Sequence, residues 1–386
     1  MNTQTQPAID AGQGLDQRFD PRRLLLRAAG PADLDAFERC AAASATGITT
    51  LPADRHALQD KLERSAQAFG SSDDSSGEEI YLFALEDLAT QRVVGTSGIA
   101  ASAGFADRFY SYRNEMVVHA SKPLAASNRI HTLHLCHDLT GHTLLTSFYI
   151  EPAYEHTLAP QLLSRGRLLF IAEFAERFSD RIAAESPGLS DDNGRCPFWD
   201  AVGRRFFDMD YPQIERLTGG RNKAFIAELM PQSPIYVPLL PEEAQWAIGQ
   251  LHPVSELPFS ILLDEGFDAE SYLDIFDGGP TAEARVALLK TVAASRRLAP
   301  AAADTTGLRL LASTQRAGFS AVLRQGNMDI DRASAERLHL PTTGRVRTAP
   351  LVMPPLMPLI EPLIEPLVEP LNEPLNMPAQ SPGASA

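Results

Sequence analysis

The stretch from Phe148 to Phe170, FYIEPAYEHTLAPQLLSRGRLLF, constrains the fold more than any other part of the chain. A short apolar run ends at Pro152, and after a turn the apolar residues recur at the spacing of a helix. The segment therefore predicts a strand, a turn and a helix in immediate succession. Because amide groups at the beginning of a helix bind phosphate, this layout suits a ligand that carries one.

The turn itself departs from a typical phosphate-binding loop, in which glycines stand where the backbone comes close to the phosphate. Residues 155–160 read EHTLAP. Glu155 puts an anion beside the expected phosphate, Leu158 adds bulk, and Pro160 removes an N–H donor. Arg165 and Arg167 follow within the next two helical turns and could supply positive charge. The sequence thus predicts the geometry of a phosphate site whose phosphate chemistry is weakened.

The patterns that precede this segment predict an α/β fold of the α+β kind. LLLRAAG (24–30) reads as a strand, and the residues from Pro31 onward and those of segment 53–69 read as helices. Four strand-like runs follow: 79–87, 91–102, 131–138 and 144–152. The order β-α-α-β-β-β-β-α indicates a mixed sheet flanked by helices.

Composition and repeats divide the chain into four parts. Residues 1–22 are polar and rich in Gly, Pro and Gln, and we expect disorder there. We expect residues 23–290 to form the α/β domain and 291–348 a small β-rich module with strands LRLLAST and FSAVLRQ. Residues 349–386 are largely a Pro-Leu repeat, which cannot be helical because proline recurs every fourth position. This tail is extended or disordered, and either binds a partner or has no function.

Charge and cysteine content limit the function classes. A net charge of -15 over 386 residues argues against non-specific binding to nucleic acid or to anionic lipid, which need a basic face. The three cysteines are far apart and form no CxxC pair, as is typical of the reducing cytoplasm. Neither a membrane-spanning apolar run nor a signal-peptide pattern is present. We therefore expect a cytoplasmic protein.

The densest group of possible metal ligands is HTLHLCHDLTGH, which holds His131, His134, His137, Asp138 and His142. On a strand, His134 points away from the face that His131 and His137 share. No established zinc spacing occurs. We therefore expect hydrogen-bonded histidines and no metal, and a metal-dependent hydrolase is the less favoured alternative.

Two further motifs carry candidate site residues. GQLHP places His252 directly after a helical pattern, where the helix dipole favours a protonated imidazole that could act as a general acid. A structural or solvated histidine is the alternative. In YLDIFDGGP, apolar residues alternate with Asp274 as in a strand, and Asp277 leads into a Gly-Gly-Pro turn. The motif reads either as a strand followed by a tight turn that Asp277 forms, or as carboxylates at a strand end for a cationic substrate. The turn interpretation is favoured because an Asp before glycines needs no further explanation.

Several segments closely resemble, in order along residues 24–290, the arginine N-succinyltransferase family. They are LTSFYIEP, CPFWDAVGRRFFDMDY, KAFIAELMPQSPIY, IGQLHP, EGF and YLDIFDGGPT. SAGFADRFYSYRNE, VHAS and LCHDLTGHTLLTSFY are similar to its α-subunit branch, which also handles ornithine. The strand and helix order is similar to that of GNAT-type N-acyltransferases, so the resemblance implies a GNAT-like mixed sheet.

The resemblance implies transfer of succinyl from succinyl-CoA to the α-amine of L-arginine, the first step of the succinyltransferase route of arginine breakdown. Succinyl-CoA would be a co-substrate, not a permanently bound cofactor. The proton donor of the family falls on His252, and its succinyl-CoA contact falls on Phe148. Charge complementarity alone suggests Arg113 or Arg204 for the succinyl carboxylate, and Asp274 or Asp277 for the guanidinium.

The departure at residues 155–160 leaves two alternatives open. The chain is either an active succinyltransferase, as a homo-oligomer or beside a related β subunit, or a non-catalytic subunit that regulates an intact relative. Degenerate loops are a feature of the α-subunit branch, so dependence on a β partner fits the resemblance.

Overall fold

The computed structural model describes residues 20–44, 50–71, 76–105, 107–191, 193–218, 228–298, 307–325, 335 and 344–352. Most of the predicted disordered N-terminus and of the Pro-Leu tail lies outside the described residues. Among the helices that are described, none has the length and apolarity needed to cross a membrane.

The described strands form one mixed sheet. Their bounds are β1 Leu24–Ala28, β2 Ile80–Asp87, β3 Arg92–Ala100, β4 Ser111–Ser121, β5 Ala126–Cys136, β6 Thr143–Ile150, β7 Arg181–Glu185, β8 Ile235–Tyr236, β9 Asp268–Leu273, β10 Pro280–Arg285, β11 Arg296–Leu298, β12 Leu308–Ala312, β13 Ser320–Gln325 and β14 Val346–Pro350. The order across the sheet is β11-β14-β12-β13-β1-β2-β3-β6-β7-β10-β9-β4-β5-β8. Of the strand pairs described, β6 with β7 is the parallel one, and the others are antiparallel.

Helices lie against this sheet, and the predicted mixed sheet with flanking helices is confirmed. Their bounds are α1 Leu34–Ala43, α2 Arg55–Gly70, α3 Ala159–Glu173, α4 Pro197–Ala201, α5 Arg204–Phe207, α6 Tyr211–Thr218, α7 Glu242–Ala247, α8 Glu256–Glu265 and α9 Lys290–Ala294. Asp54 caps α2, because its carboxylate accepts a 2.7 Å hydrogen bond from the amide of Ala57.

The predicted strand order was wrong by one strand. Five strands, not four, lie between α2 and α3, and the missed one is β4. Its sequence, SYRNEMVVHAS, carries no alternation of apolar and polar residues. The strand forms because it pairs with β5 along its whole length, from Ser111 opposite Cys136 to Ser121 opposite Ala126. Pairing of this kind is decided by the neighbouring strand and outweighs local propensity.

Helix α3 is the centre of the main core and is buried on nearly every side. Phe170, near its C-terminus, packs its ring against those of Phe69, Tyr81 and Phe319 at centroid distances of 4.8 to 5.4 Å. Aromatic pairs at this separation stabilise beyond their buried area. These ring contacts hold α3, the helix predicted from the apolar pattern after Pro160, in the core.

The C-terminal strands continue the same sheet. Strand β13 pairs with β1, with Ala321 opposite Leu26, and β12 and β14 follow outward. Leu310, Phe319 and Leu323 are buried in the core that also holds β1 and α3. The division of the chain into a domain at 23–290 and a module at 291–348 stays a prediction, although the two share a sheet and a core.

Candidate active site

A cleft opens where the parallel strands β6 and β7 part. The two strands are paired only from Thr143 to Leu145 on β6, while β6 itself runs on to Ile150. Strand β7 ends at Glu185. The cleft encloses about 930 Å³ of non-protein space, including its solvent-open mouth. Its first wall comes from β6 and α3, and its second from β7 and from segments beyond β7 in the sheet.

A β-bulge shapes the first wall. Gly98 and Thr96 of β3 pair with Thr146 and Tyr149 of β6, so two residues of β6 lie opposite one residue of β3. Ser147, in the bulge, has a left-handed φ of 55°, which is uncommon for a residue other than glycine. A bulge re-aims side chains, and here both Ser147 and Phe148 line the cleft.

Hydrogen bonds hold this unusual backbone in place. The Ser147 carbonyl accepts a bond of 3.0 Å from the hydroxyl of Thr96. The Ser147 amide donates to the hydroxyl of Thr50 at 2.8 Å, and the Ser147 hydroxyl donates to the Thr50 carbonyl at 2.7 Å. Thr50 lines the cleft as Ser147 does, so these bonds lie at the cleft wall.

Arg167 of α3 lies beside Phe148 on the first wall. Its guanidinium stands over the Phe148 ring, 5.6 Å from the centroid, and its side chain is only 3% exposed. Burial lowers the pKa of Arg167 from its usual value. From the sequence, we considered Arg167 only as a source of positive charge for phosphates, because nothing in the local pattern distinguishes it from Arg165.

The second wall is acidic. Glu185, Glu215, Asp274 and Asp277 all line the cleft. Asp277 is buried and its carboxylate accepts hydrogen bonds from the amides of Gly279 and Gly188, both at 2.8 Å. The hydroxyl of Tyr211 donates to the same carboxylate at 3.1 Å, and burial raises the pKa of Tyr211 well above its usual value. The sequence did not single out Tyr211, Glu185 or Glu215.

Asp274 and Asp277 occupy the turn after β9, not the strand itself. The Asp274 carboxylate accepts a bond of 2.6 Å from the amide of Phe276, and Asp277 bonds Gly279 as described above. Both contacts are those of a turn former, as the favoured interpretation expected for Asp277. The strand position expected for Asp274 was wrong, because the strand ends at Leu273. Binding of a guanidinium by either carboxylate stays a prediction.

His252 lies beside the cleft, but the helix-dipole argument for it was wrong. Helix α7 ends at Ala247, and His252 instead stands as the N-terminal cap of the turn that leads into α8. Its amide donates to the carbonyl of Pro187, and its carbonyl accepts from the amide of Ser255. Both Pro187 and Ser255 line the cleft. The argument from a helix C-terminus therefore does not apply to His252.

The tautomer of His252 follows from its local contact. The ring Nδ1 accepts a bond of 3.3 Å from the amide of Val254. A neutral imidazole that accepts at Nδ1 carries its proton on Nε2. The neutral ring therefore presents an Nε2–H group as a hydrogen-bond donor. The family role of His252 as proton donor requires the imidazolium form and stays a prediction.

Arg113 and Arg204 lie outside the cleft, and each is paired with a carboxylate. Arg113 of β4 bonds Glu115 and, at 2.9 Å, Asp138. Hydrogen bonding by Glu115 and Asp138 raises the pKa of Arg113. Arg204 of α5 is half-exposed and bonds Asp200 at 3.2 Å, one helical turn earlier in the sequence. Neither arginine lines the space in which a succinyl group would be held, so the predicted assignment of that carboxylate gains no support.

The beginning of α3 offers little to a phosphate. The amide of Ala159 already donates to the hydroxyl of Thr157 at 3.1 Å, and Pro160 has no amide hydrogen. Thr157 itself is held by its hydroxyl, which donates to the Tyr154 carbonyl at 2.7 Å. The helix start thus keeps the geometry that the sequence predicted, with fewer available donors than a glycine-rich loop provides.

The histidine cluster forms no metal centre in the part of the chain that the structure describes, where no group of three potential ligands could hold an ion. His131 contacts the amide oxygen of Asn114, and burial lowers the pKa of its imidazole. His134 contacts Thr132 and lies 3.4 Å from a carboxylate oxygen of Glu115. These contacts account for both histidines without an ion.

Comparison with known proteins points to one family. A sequence profile described as arginine N-succinyltransferase beta subunit matches residues 24–291. The chain is 50% identical to arginine N-succinyltransferase subunit alpha of Pseudomonas aeruginosa over 273 residues, 71% of this chain and 81% of the relative. It is 40% identical to subunit beta of the same organism over 336 residues, 85% of this chain and 98% of the relative.

Two further matches agree. The chain is 38% identical to arginine N-succinyltransferase of Shigella sonnei over 71% of this chain and 79% of that protein. The solved structure of arginine/ornithine succinyltransferase subunit AI from Pseudomonas aeruginosa superposes with a TM-score of 0.77 at 42% identity, covering 85% of this chain and 99% of that one. The subunit type remains ambiguous, because the chain matches relatives of both types.

Proposed function

Because this chain belongs to the arginine N-succinyltransferase family, we propose that it transfers a succinyl group from succinyl-CoA to the α-amine of L-arginine. The reaction is the first step of arginine breakdown by the succinyltransferase route, and we place it in the cytoplasm. The observation that carries the proposal is the cleft between β6 and β7, which has an arginine on one wall and carboxylates on the other. An anionic acyl donor and a cationic acceptor need such a division of charge.

The reaction sets out what the cleft has to do. The neutral α-amine attacks the thioester carbonyl, a C–N bond forms, the C–S bond breaks, and the CoA thiolate takes up a proton. The negative charge that develops on the carbonyl oxygen needs an oriented donor. We assign that role to the amide of Ser147, which lies in the bulge at the cleft wall and donates to Thr50, another lining residue. The thioester would displace the hydroxyl of Thr50, which accepts this bond in the structure.

The thiolate requires an acid, since a free thiol has a pKa of about 8.5. His252 in its imidazolium form is the proposed donor: it gives its Nε2 proton to the thiolate, becomes neutral, and takes up the proton that the amine nitrogen releases. Its backbone bonds to Pro187 and Ser255 keep it next to the second wall. Phe148 is the proposed contact for the acyl donor, and Asp274 or Asp277 the proposed contact for the guanidinium of the acceptor.

We further propose that the chain is of the α type and acts beside a related β subunit. Identity to the α subunit of Pseudomonas aeruginosa is higher, at 50% against 40% for the β subunit. The competing candidate is a non-catalytic, regulatory subunit. The observation that favours it is the beginning of α3, where Pro160 and the Thr157 cap leave few amides for the CoA pyrophosphate.

Reconstitution separates these candidates. The chain is purified alone and together with a related β subunit, and release of CoA thiol from succinyl-CoA is measured with L-arginine and with L-ornithine as acceptors. Mass spectrometry then identifies the succinylated nitrogen. Turnover above that of the β subunit alone, sensitive to changes in this chain's cleft, supports a catalytic role. A mixture whose turnover is unaffected by changes to Phe148 and His252 would leave only the regulatory role.

A further inference from the structure

Arg167 is buried, and the described part of the chain provides no counter-ion for it. Its guanidinium donates to the carbonyls of Gly98, Thr146 and Ser164 and to the Ser164 hydroxyl, at distances of 3.3 to 3.5 Å. All four contacts lie at the long end of the hydrogen-bond range, and all four acceptors are neutral. Among the described residues, no carboxylate lies within ion-pair distance of it. A buried guanidinium in such surroundings is costly unless an anion joins it.

Arg165 of the same helix provides an internal comparison. It is equally buried, with 3% of its side chain exposed, but it pairs with Asp264 and, at 2.9 Å from Nε, with Glu265. Both carboxylates belong to α8, so Arg165 joins two helices. Within the residues that the structure describes, one buried arginine of α3 thus has carboxylate partners, while the other, which lines the cleft, is left for an anion that comes from outside.

The charge distribution of the cleft indicates which anion this is. The carboxylates of the second wall attract the cationic acceptor to the far side from Arg167. The CoA pyrophosphate is expected near Ala159, about 12 Å along the helix axis from Arg167. What remains near Arg167 and Phe148 is the acyl group, which projects beyond the thioester carbonyl into the bulge region.

We propose that Arg167 binds the free carboxylate of the succinyl group and thereby selects acyl-CoA thioesters that end in a carboxylate. This inference rests on the proposed function and names the residue that fixes its acyl-donor class. It replaces Arg113 and Arg204, which lie outside the cleft. The guanidinium lies over the Phe148 ring, 5.6 Å from its centroid, and its planar fork can bind a carboxylate through two parallel hydrogen bonds.

The test compares succinyl-CoA with butyryl-CoA, which has the same chain length and no terminal carboxylate. Kinetics use the subunit assembly with L-arginine, and calorimetry measures binding of each thioester without acceptor. Arg167→Met should lower kcat/KM for succinyl-CoA about a hundredfold, as truncating one partner of a buried charged pair does, and change the value for butyryl-CoA less than threefold. Arg167→Lys should recover part of the loss. Urea unfolding checks that both variants fold.

Arg165→Met is the matched control, since it removes an equally buried arginine and should leave the ratio between the two donors unchanged. Equal losses for both donors in Arg167→Met would overturn the proposal. So would a loss that appears only in the preference for arginine over its decarboxylated analogue agmatine. Calorimetry measures binding without transfer, so it separates failure of the Arg167 assignment from failure of the proposed function. Wild-type preference for succinyl-CoA that disappears in Arg167→Met supports the role of Arg167 even where no transfer is measured.

Discussion

The comparison of Arg165 with Arg167 shows that residue type alone does not determine whether a buried arginine forms an ion pair. The two have the same chemistry, the same helix and the same burial, yet only Arg165 has carboxylate partners within the described residues. Those partners are about a hundred positions away along the chain, on α8. No reading of the local sequence could assign an ion pair to one arginine and a ligand to the other.

His252 presents the converse case at the residue scale. We chose His252 because GQLHP resembles the family motif. The physical reason that we gave from the sequence was a position at a helix C-terminus, and this reason does not apply. Its environment is instead set by Pro187 and by the turn into α8.

We predict that His252→Ala lowers kcat about a hundredfold or more, because general acid catalysis typically contributes that much. The KM for L-arginine should change little, since His252 is not proposed to bind the acceptor. Steady-state thiol release from the subunit assembly measures both. His134→Ala, on β5 outside the cleft, should behave as wild type. A kcat near the wild-type value in His252→Ala would refute the assignment.

At the scale of elements, the ion pairs between α3 and α8 hold the first wall of the cleft in position. Arg165 bonds both carboxylates of α8, Lys290 bonds Asp264 from the exposed side, and Thr291 bonds Glu265. Removing the buried arginine leaves two carboxylates short of their main partner.

We predict that Arg165→Met lowers the free energy of unfolding by about 3 kcal/mol, the lower end for breaking a buried ion pair. Lys290→Met removes a partner of the same Asp264, but its side chain is 66% exposed. It should cost less than about 1 kcal/mol. Urea denaturation of the three proteins tests this, and equal losses in the two variants would contradict it.

At the beginning of α3, the structure matches what the sequence predicted. The strand, turn and helix predicted from residues 148–170 are present as β6, a short turn and α3, and the donors that the sequence counted as lost are indeed few.

We predict that Pro160→Gly strengthens binding of CoA several-fold, because it returns an amide donor to the helix start near the pyrophosphate. Binding of pantetheine, which has no pyrophosphate, should not change. Calorimetric titration with both ligands is the measurement. An unchanged dissociation constant for CoA, or the same gain for pantetheine, would show that the pyrophosphate does not bind here.

At the scale of the whole molecule, one sheet carries both the cleft and the C-terminal strands. Strand β13 pairs with β1, and Phe319 packs on Phe170 of α3 at 4.8 Å between centroids. The helix that bears Arg167 is therefore packed partly by residues from the other end of the chain.

We predict that a chain ending at Val352 keeps the wild-type urea midpoint, because every described strand is retained. A chain ending at Leu298 should not fold cooperatively, since it lacks β12 to β14 and exposes the edge of β1. Circular dichroism and urea unfolding of both chains provide the comparison. A stable, cooperative 1–298 chain would instead support an independent C-terminal module.

Local sequence determined the strand, turn and helix at 148–170, the strands β2 and β3, the family, and the loss of donors at residues 155–160. These depend on periodicity, turn residues and motifs, which neighbouring residues set among themselves. Tertiary structure alone decided that β4 forms, that β6 and β7 part at a bulge, and that Arg167 lacks the partners Arg165 has. Each depends on groups that lie far apart in the chain and become neighbours only in the folded sheet and its core. Burial against α3 then makes a charge without a counter-ion costly in free energy.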